Sequence, residues 1–146
     1  MPNLPRLSLI RFASAIVLAL AFASGVPAQS PAPASKVVLQ VSDNDPGKWN
    51  LALNNAKNIQ ADLGAQNVAV EIVAYGPGIN MLKMESAVGG RIDEALAAGV
   101  KVVACENTMH NAKLSKADML NRIGYVPSGV VELMQKQQQG FAYIRP

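Results

Sequence analysis

The 146-residue chain is poor in the residues that build most catalytic centres: it has one Cys, one His and one Trp, and aromatics make up 5% of it. A single Cys excludes an internal disulfide framework and any zinc site built on cysteines. A single His leaves no ligand set for a transition-metal centre and only one base from which a Ser-His-Asp triad could start, so no resident metal or cofactor is expected. Charge is sparse as well, at 16% of residues. No dense Lys/Arg patch interleaved with aromatics remains to bind nucleic acid. What the chain has in quantity is aliphatic side chain, 50% hydrophobic residues in all. A chain this apolar offsets its ordering entropy by burial, and its length suits one folded domain.

The apolar residues are of two kinds. Arg6 and Arg11 precede an uncharged apolar run from Phe12 to Ser24, and Val26-Pro27-Ala28 follows with small residues. That order is the pattern of a secretory signal peptide over residues 1–28, too short in its apolar part to span a bilayer. Its removal takes two positive charges from the net +3. The mature protein is therefore expected to be periplasmic, nearly neutral and without stable membrane insertion. Residues 29–35 (QSPAPAS) form a Pro/Ala/Ser linker with nothing to bury.

From residue 36 strands and helices alternate. Lys36–Ser42 is short, β-branched and apolar, as a strand covered on both faces should be. Asp45-Pro46 supplies a cap and a first-turn proline. Trp49, Ala52, Leu53, Ala56, Ile59 and Leu63 then recur at helical spacing up to Gly64, a candidate left-handed cap. Asn67–Tyr75 reads as a second strand ending in the turn Gly76-Pro77-Gly78. A short helix is expected over Asn80–Ser86 and a firmer one over Arg91–Ala98, closed by Gly99. Val100–Cys105 is the third strand. Ser115 with Asp118 forms a capping box before a brief helical turn. Ser128 caps a helix Gly129–Gln138 whose Val130, Val131, Leu133 and Met134 share one side, and Phe141–Arg145 closes the chain as a strand. Strands separated by helices pair in parallel through right-handed crossovers. The expected fold over residues 36–146 is thus α/β, a three-layer α/β/α sandwich with a mostly parallel sheet and flavodoxin-like character.

In such sheets the chemistry gathers where loops diverge at the carboxyl ends of the strands. Those ends are Ser42–Asp45, Tyr75–Gly78 and Cys105–Thr108, and they are expected on one edge. The order and spacing of KVVLQVSDND, KWNLALNNAKN, VEIVAYGPGINML, GVKVVACENTM and GFAYIRP resemble the DsrE/DsrF-like family of small sulfur-relay and related proteins. The resemblance implies homo-oligomers, trimers or hexamers, a partner that donates or accepts sulfur, and a Cys that carries sulfur as a persulfide. Cys105 is the only residue that could take that role here.

A thiol at a strand end before a helix start can ionise more easily near backbone N–H groups. Asn107 and Thr108 could donate hydrogen bonds to a bound sulfur, and Gly76 and Gly78 would let backbone approach closely. Glu106 opposes a second negative charge beside it, and His110 assists if the chain turns back. Against this stands a small buried hydrophobe at the end of an apolar strand, in which case the chain is a non-catalytic oligomeric module that binds a small ligand or protein. Asp43 and Asp45 are candidates for ligand binding, although Asp before Pro is a natural cap. Trp49 belongs to the helical stripe, and Met81, Met84, Met109 and Met119 suit a soft apolar interface better than a metal site. When the full chain is expressed in a secreting host, N-terminal sequencing of the exported protein should begin at Gln29. A start at Met1 would overturn the signal assignment.

Overall fold

The aliphatic runs that read as strands become the centre of one parallel sheet. The computed structural model describes residues 33–146; the expected signal peptide and residues 29–32 of the linker lie outside the described residues. Five strands, β1 (Ser35–Val41), β2 (Val68–Ala74), β3 (Lys101–Cys105), β4 (Gly124–Val126) and β5 (Ala142–Ile144), pair in the order β4-β3-β2-β1-β5. Every pairing is parallel. Ser35, expected as the last linker residue, already pairs with Val68 as the first residue of β1.

Helix α1 (Pro46–Leu63) joins β1 to β2, α2 (Gly89–Ala97) precedes β3, α3 (Glu106–Asn111) follows it, and α4 (Gly129–Gln138) joins β4 to β5. Two 3-10 helices, Gly76–Leu82 and Lys116–Asp118, fill the β2–α2 and α3–β4 connections. The first three crossovers step in one direction across the sheet, from β1 to β4. A right-handed connection in that direction leaves its helices on one face. The β4–β5 crossover returns past β1, so α4 lies alone on the other face. The two cores follow this division. Leu39, Ile72, Val102, Trp49, Leu53, Met81 and Ile92 pack on the α1/α2 side, while Val38, Val73, Val103, Val126 and Leu133 pack beneath α4.

Local chemistry explains the helix limits. Asp45 accepts from the Gly47 N–H at 2.7 Å and the Lys48 N–H at 3.4 Å, and Pro46 occupies the first helical position where its missing N–H costs nothing. Gly64 has φ +86° but ψ 129°, so it ends α1 with positive φ outside the left-handed helical region expected of it. Leu63, read as part of the buried stripe, is exposed. On α4, Leu133 alone of the four apolar residues reaches the core, and Val130, Val131 and Met134 face outward. Three of the four methionines read as interface residues, Met81, Met109 and Met119, are core residues, and Met84 is exposed.

α4 is also tied down by charge. The Glu71 carboxylate, 2% exposed on β2, accepts from Lys136 Nζ of α4 at 2.8 Å and from Lys101 Nζ of β3 at 3.3 Å. A buried carboxylate is tolerated only when cations replace the water it has lost. Burial, then the Glu71 carboxylate beside it, pushes the Glu132 carboxyl up. Lys136, which bridges both acids, is pulled down by burial but held above its ordinary value by Glu71 and Glu132.

One close approach fixes the carboxyl ends of β1 and β2 together. Gly78 is buried against β1, and an added Cβ would overlap the Val41 carbonyl and lie 2.9 Å from Ser42 Cα. Backbone cannot yield as a side-chain tip can. Gly78→Ala should therefore destabilise the fold by about 3 kcal/mol, measured as a fall in the denaturant midpoint at unchanged slope. A loss under about 0.5 kcal/mol, the range of ordinary surface substitutions, would show that this contact is not restrictive.

Candidate functional site

The carboxyl ends of β1, β2 and β3 do lie on one edge, because the three strands are adjacent and parallel. Their loops are joined there. Tyr75 N–H donates to the Val41 carbonyl at 3.1 Å, and Gly76 N–H donates to Thr108 Oγ1 at 2.9 Å. Cys105 stands at a strand end just before a helix start, as expected, but the helix starts at once, so that Glu106–Thr108 is the first turn of α3 and not a loop, with Cys105 as its N-cap. The Gly76-Pro77-Gly78 turn is likewise the opening of a 3-10 helix that runs to Leu82.

The helix that follows β3 lies on one face of the sheet and the helix that follows β4 on the other. The cleft between these two strand ends is the switch point of the fold. Cys105 stands at that point. By the alternation of β3 its side chain faces the α4 side, as Val103 does, and the residue is 4% exposed. Thr108 N–H donates to Cys105 Sγ at 3.4 Å. Burial pushes the Cys105 thiol up, but the Thr108 hydroxyl and the N–H groups of Gly129, Thr108 and Asn107 together hold it below its ordinary value of 9.0. Asn107 N–H also donates to the Pro127 carbonyl at 3.2 Å, which joins the start of α3 to the chain entering α4. The sulfur thus lies among donors from both helices, although apolar core surrounds it on the strand side.

The other candidate residues sort by distance from this sulfur. Thr108 touches it and also accepts from Gly76 N–H, so Gly76, at φ +54°, acts one step away. Asn107 contributes its backbone, while the residue itself is exposed. Gly78 approaches the backbone of β1 rather than the thiol. Asp43 is two strands away. Its carboxylate pairs with Lys48 at 3.0 Å and Arg145 at 3.6 Å, and the Lys48 hydrogen bond holds it below its ordinary value. Its carbonyl accepts from Trp49 Nε1 at 2.7 Å, which anchors the β1–α1 loop. Asp45 is the cap of α1. Glu106 turns to Lys116 at 3.5 Å, and His110 is exposed on α3 with no hydrogen bond to Cys105. Tyr75, read as the start of the Tyr75–Gly78 strand end, packs against Gly129, which carries no motif that would single it out.

A shallow cleft of about 420 Å³ opens beside Thr108, between the 3-10 helix (Gly76, Ile79, Asn80) and the end of α3 (Asn111 and its cap Ala112). Cys105 lies behind Thr108 and does not line it. A smaller cavity of about 150 Å³ lies between α1 and α2. Its Arg91 is already held by the side-chain oxygens of Asn50 and Asn54. Among the described residues no group of three or more His, Cys, Asp or Glu side chains could hold a metal ion, and no helix is long and apolar enough to cross a membrane.

A depressed folded-state pKa means that thiolate stabilises the folded form. That contribution is absent well below the folded pKa, grows as the pH rises through it, and is complete above the unfolded value near 9.0. Serine keeps the N-cap acceptor but does not titrate. The stability of the natural chain relative to Cys105→Ser should therefore increase as the pH rises towards 9.0 and level off above it. Thr108→Val, which removes the hydroxyl donor, should shrink the increase. Denaturant unfolding across that range checks this, and a flat difference would contradict it.

The sequence profile of the DsrE/DsrF-like family matches residues 35–146. Among solved structures, MTH1491 from Methanobacterium thermoautotrophicum, described as a protein of unknown function, is 35% identical at a TM-score of 0.73, covering 77% of this chain and 99% of its own. BT1422 from Bacteroides thetaiotaomicron, also described as of unknown function, shares the fold at a TM-score of 0.59 and 14% identity, covering 77% of this chain and 95% of its own. No protein of curated function matches the sequence.

Proposed function

The chain belongs to the DsrE/DsrF-like family, a family related to sulfur relay, and from that premise we propose that it is an exported sulfur carrier in which Cys105 holds a persulfide. The observation that carries the reading is the hydrogen bond from Thr108 N–H to Cys105 Sγ at 3.4 Å, at a position where the Thr108 hydroxyl and the neighbouring N–H groups of Gly129 and Asn107 also favour the ionised thiol. A thiol kept neutral in a core has no use for them. A thiolate, or the terminal sulfur of a persulfide, is stabilised by charge-assisted hydrogen bonds of this kind.

The transfer needs no cofactor. The Cys105 thiolate attacks the outer sulfur of a donor persulfide. A new S–S bond forms at Cys105 as the donor's S–S bond breaks, and the bonding pair leaves on the donor sulfur as a thiolate. That thiolate takes up the proton that Cys105 gave up, so the exchange involves no net oxidation. Delivery to an acceptor thiolate is the same step in reverse. Because Cys105 is 4% exposed, the donor reaches it only when the residues covering the sulfur shift. The proposal includes a homo-oligomer, trimer or hexamer, with a sulfur donor or acceptor protein as its partner. Shelter of this degree suits an exported thiol, which would otherwise oxidise or cross-link.

The same 4% exposure favours a second reading. In it Cys105 only caps α3, accepting from Thr108 N–H, and the protein is a binding module without sulfur chemistry. One experiment separates the two. After incubation of the native protein with inorganic polysulfide, mass spectrometry should show a gain of about 32 Da, absent in Cys105→Ser and reversed by a reducing thiol. A native protein that takes up no sulfur, while the denatured chain does, would leave the capping role alone standing.

A further inference from the structure

Gly129, the first residue of α4, is buried, and its φ lies outside the positive range that glycine alone tolerates. Backbone freedom is therefore not the reason for a glycine here. Alanine at a helical position is more favourable by about 1 kcal/mol. What stands against it is Tyr75: a Cβ on Gly129 would lie 2.9 Å from Tyr75 Cβ, 3.1 Å from Cγ and 3.2 Å from Cδ1. These are the root of the side chain and not a tip that could swing aside. Tyr75 itself is pinned. Its N–H donates to the Val41 carbonyl at 3.1 Å, its carbonyl accepts from Gly78 N–H at 3.1 Å, and its ring packs on the core beneath α4. The ring is a rigid floor on which the first turn of α4 rests, and that turn begins three residues after Val126, the β4 partner of Cys105, so that its first N–H, that of Gly129, lies on the side of the sulfur and favours its ionised form.

We infer that Tyr75 is a positioning residue for Cys105: its ring, seated against Gly129, sets how closely the first N–H of α4 approaches the sulfur. The inference deepens the sulfur-carrier reading, since it concerns the same thiol, but its test does not require that sulfur be transferred. The hydroxyl of Tyr75 is not needed for the effect. Burial pushes it up, and it makes no hydrogen bond to Cys105. The ring is what acts.

The test is the pH dependence of Cys105 alkylation by iodoacetamide in the full chain, which reads the thiol pKa directly. Tyr75→Phe should keep the natural profile within about 0.2 pH units. Tyr75→Leu, which keeps an apolar side chain but removes the flat ring, and Gly129→Ala, which pushes the helix off it, should each raise the thiol pKa by about one unit, a tenfold fall in thiolate below the pKa. Because Gly129→Ala can fail to fold, Tyr75→Leu stands as the deciding variant, with its melting curve as the check on folding. A folded Tyr75→Leu protein with the natural profile would overturn the inference, and so would a Tyr75→Phe profile displaced as far as that of Tyr75→Leu. If the natural protein takes up no sulfur while these shifts are still seen, the carrier reading falls and the positioning role stands.

Discussion

The return of the chain from β4 across the sheet to β5 is the constraint on which the site depends. Three crossovers step one way and leave α1, α2 and α3 on one face. The fourth must go back past β1 to add the last strand, and a right-handed connection in that direction places α4 on the opposite face. Two helices therefore start from adjacent strand ends and diverge. A side chain at the end of β3 sits between their first turns, where unpaired N–H groups are concentrated. Cys105 occupies that position, and Thr108 and Gly129 are the residues through which the two helices reach it.

Burial and polarity usually oppose each other at a thiol. A buried thiol resists ionisation, and an ionised thiol is ordinarily exposed to solvent. At Cys105 the donors outweigh the desolvation, so that the sulfur is both covered and inclined to ionise. The arrangement depends on close packing at several points. Gly78 admits β1, Gly129 admits Tyr75, and Thr108 spans the sulfur and the Gly76 N–H. The Glu71–Lys136 pair holds the far end of α4 to β2, so the helix is fastened at both ends over the sheet.

Much of this was legible in the residues. The runs at 36–42, 67–75 and 100–105 were sufficient to specify the three central strands, because strands covered on both faces must be apolar without alternation. Asp45-Pro46 and Ser115 with Asp118 marked their helix starts by side-chain chemistry that is local in sequence. Other features were not legible. β4 is three residues long and contains Gly124, so it has no pattern apart from its pairing with β3. α3 is one and a half turns that hold only by packing and by the Cys105 cap, and reading it as a loop followed from its polar residues. The outward side of α4 looked like a core face, because hydrophobicity tells which residues prefer burial but not how much sheet is available to cover them. The Gly129 and Tyr75 contact joins residues more than fifty positions apart, and no spacing rule reaches that far.

The sequence by itself determined the α/β class, the parallel pairing, the family and the position of the one cysteine, since each depends on composition or on patterns a few residues long. The tertiary structure alone decided what surrounds that sulfur. The Thr108 N–H bond and the pull of the Gly129 N–H on the thiol act over a few ångströms, and only the reversal of the last crossover brings the start of α4 within that range of the end of β3.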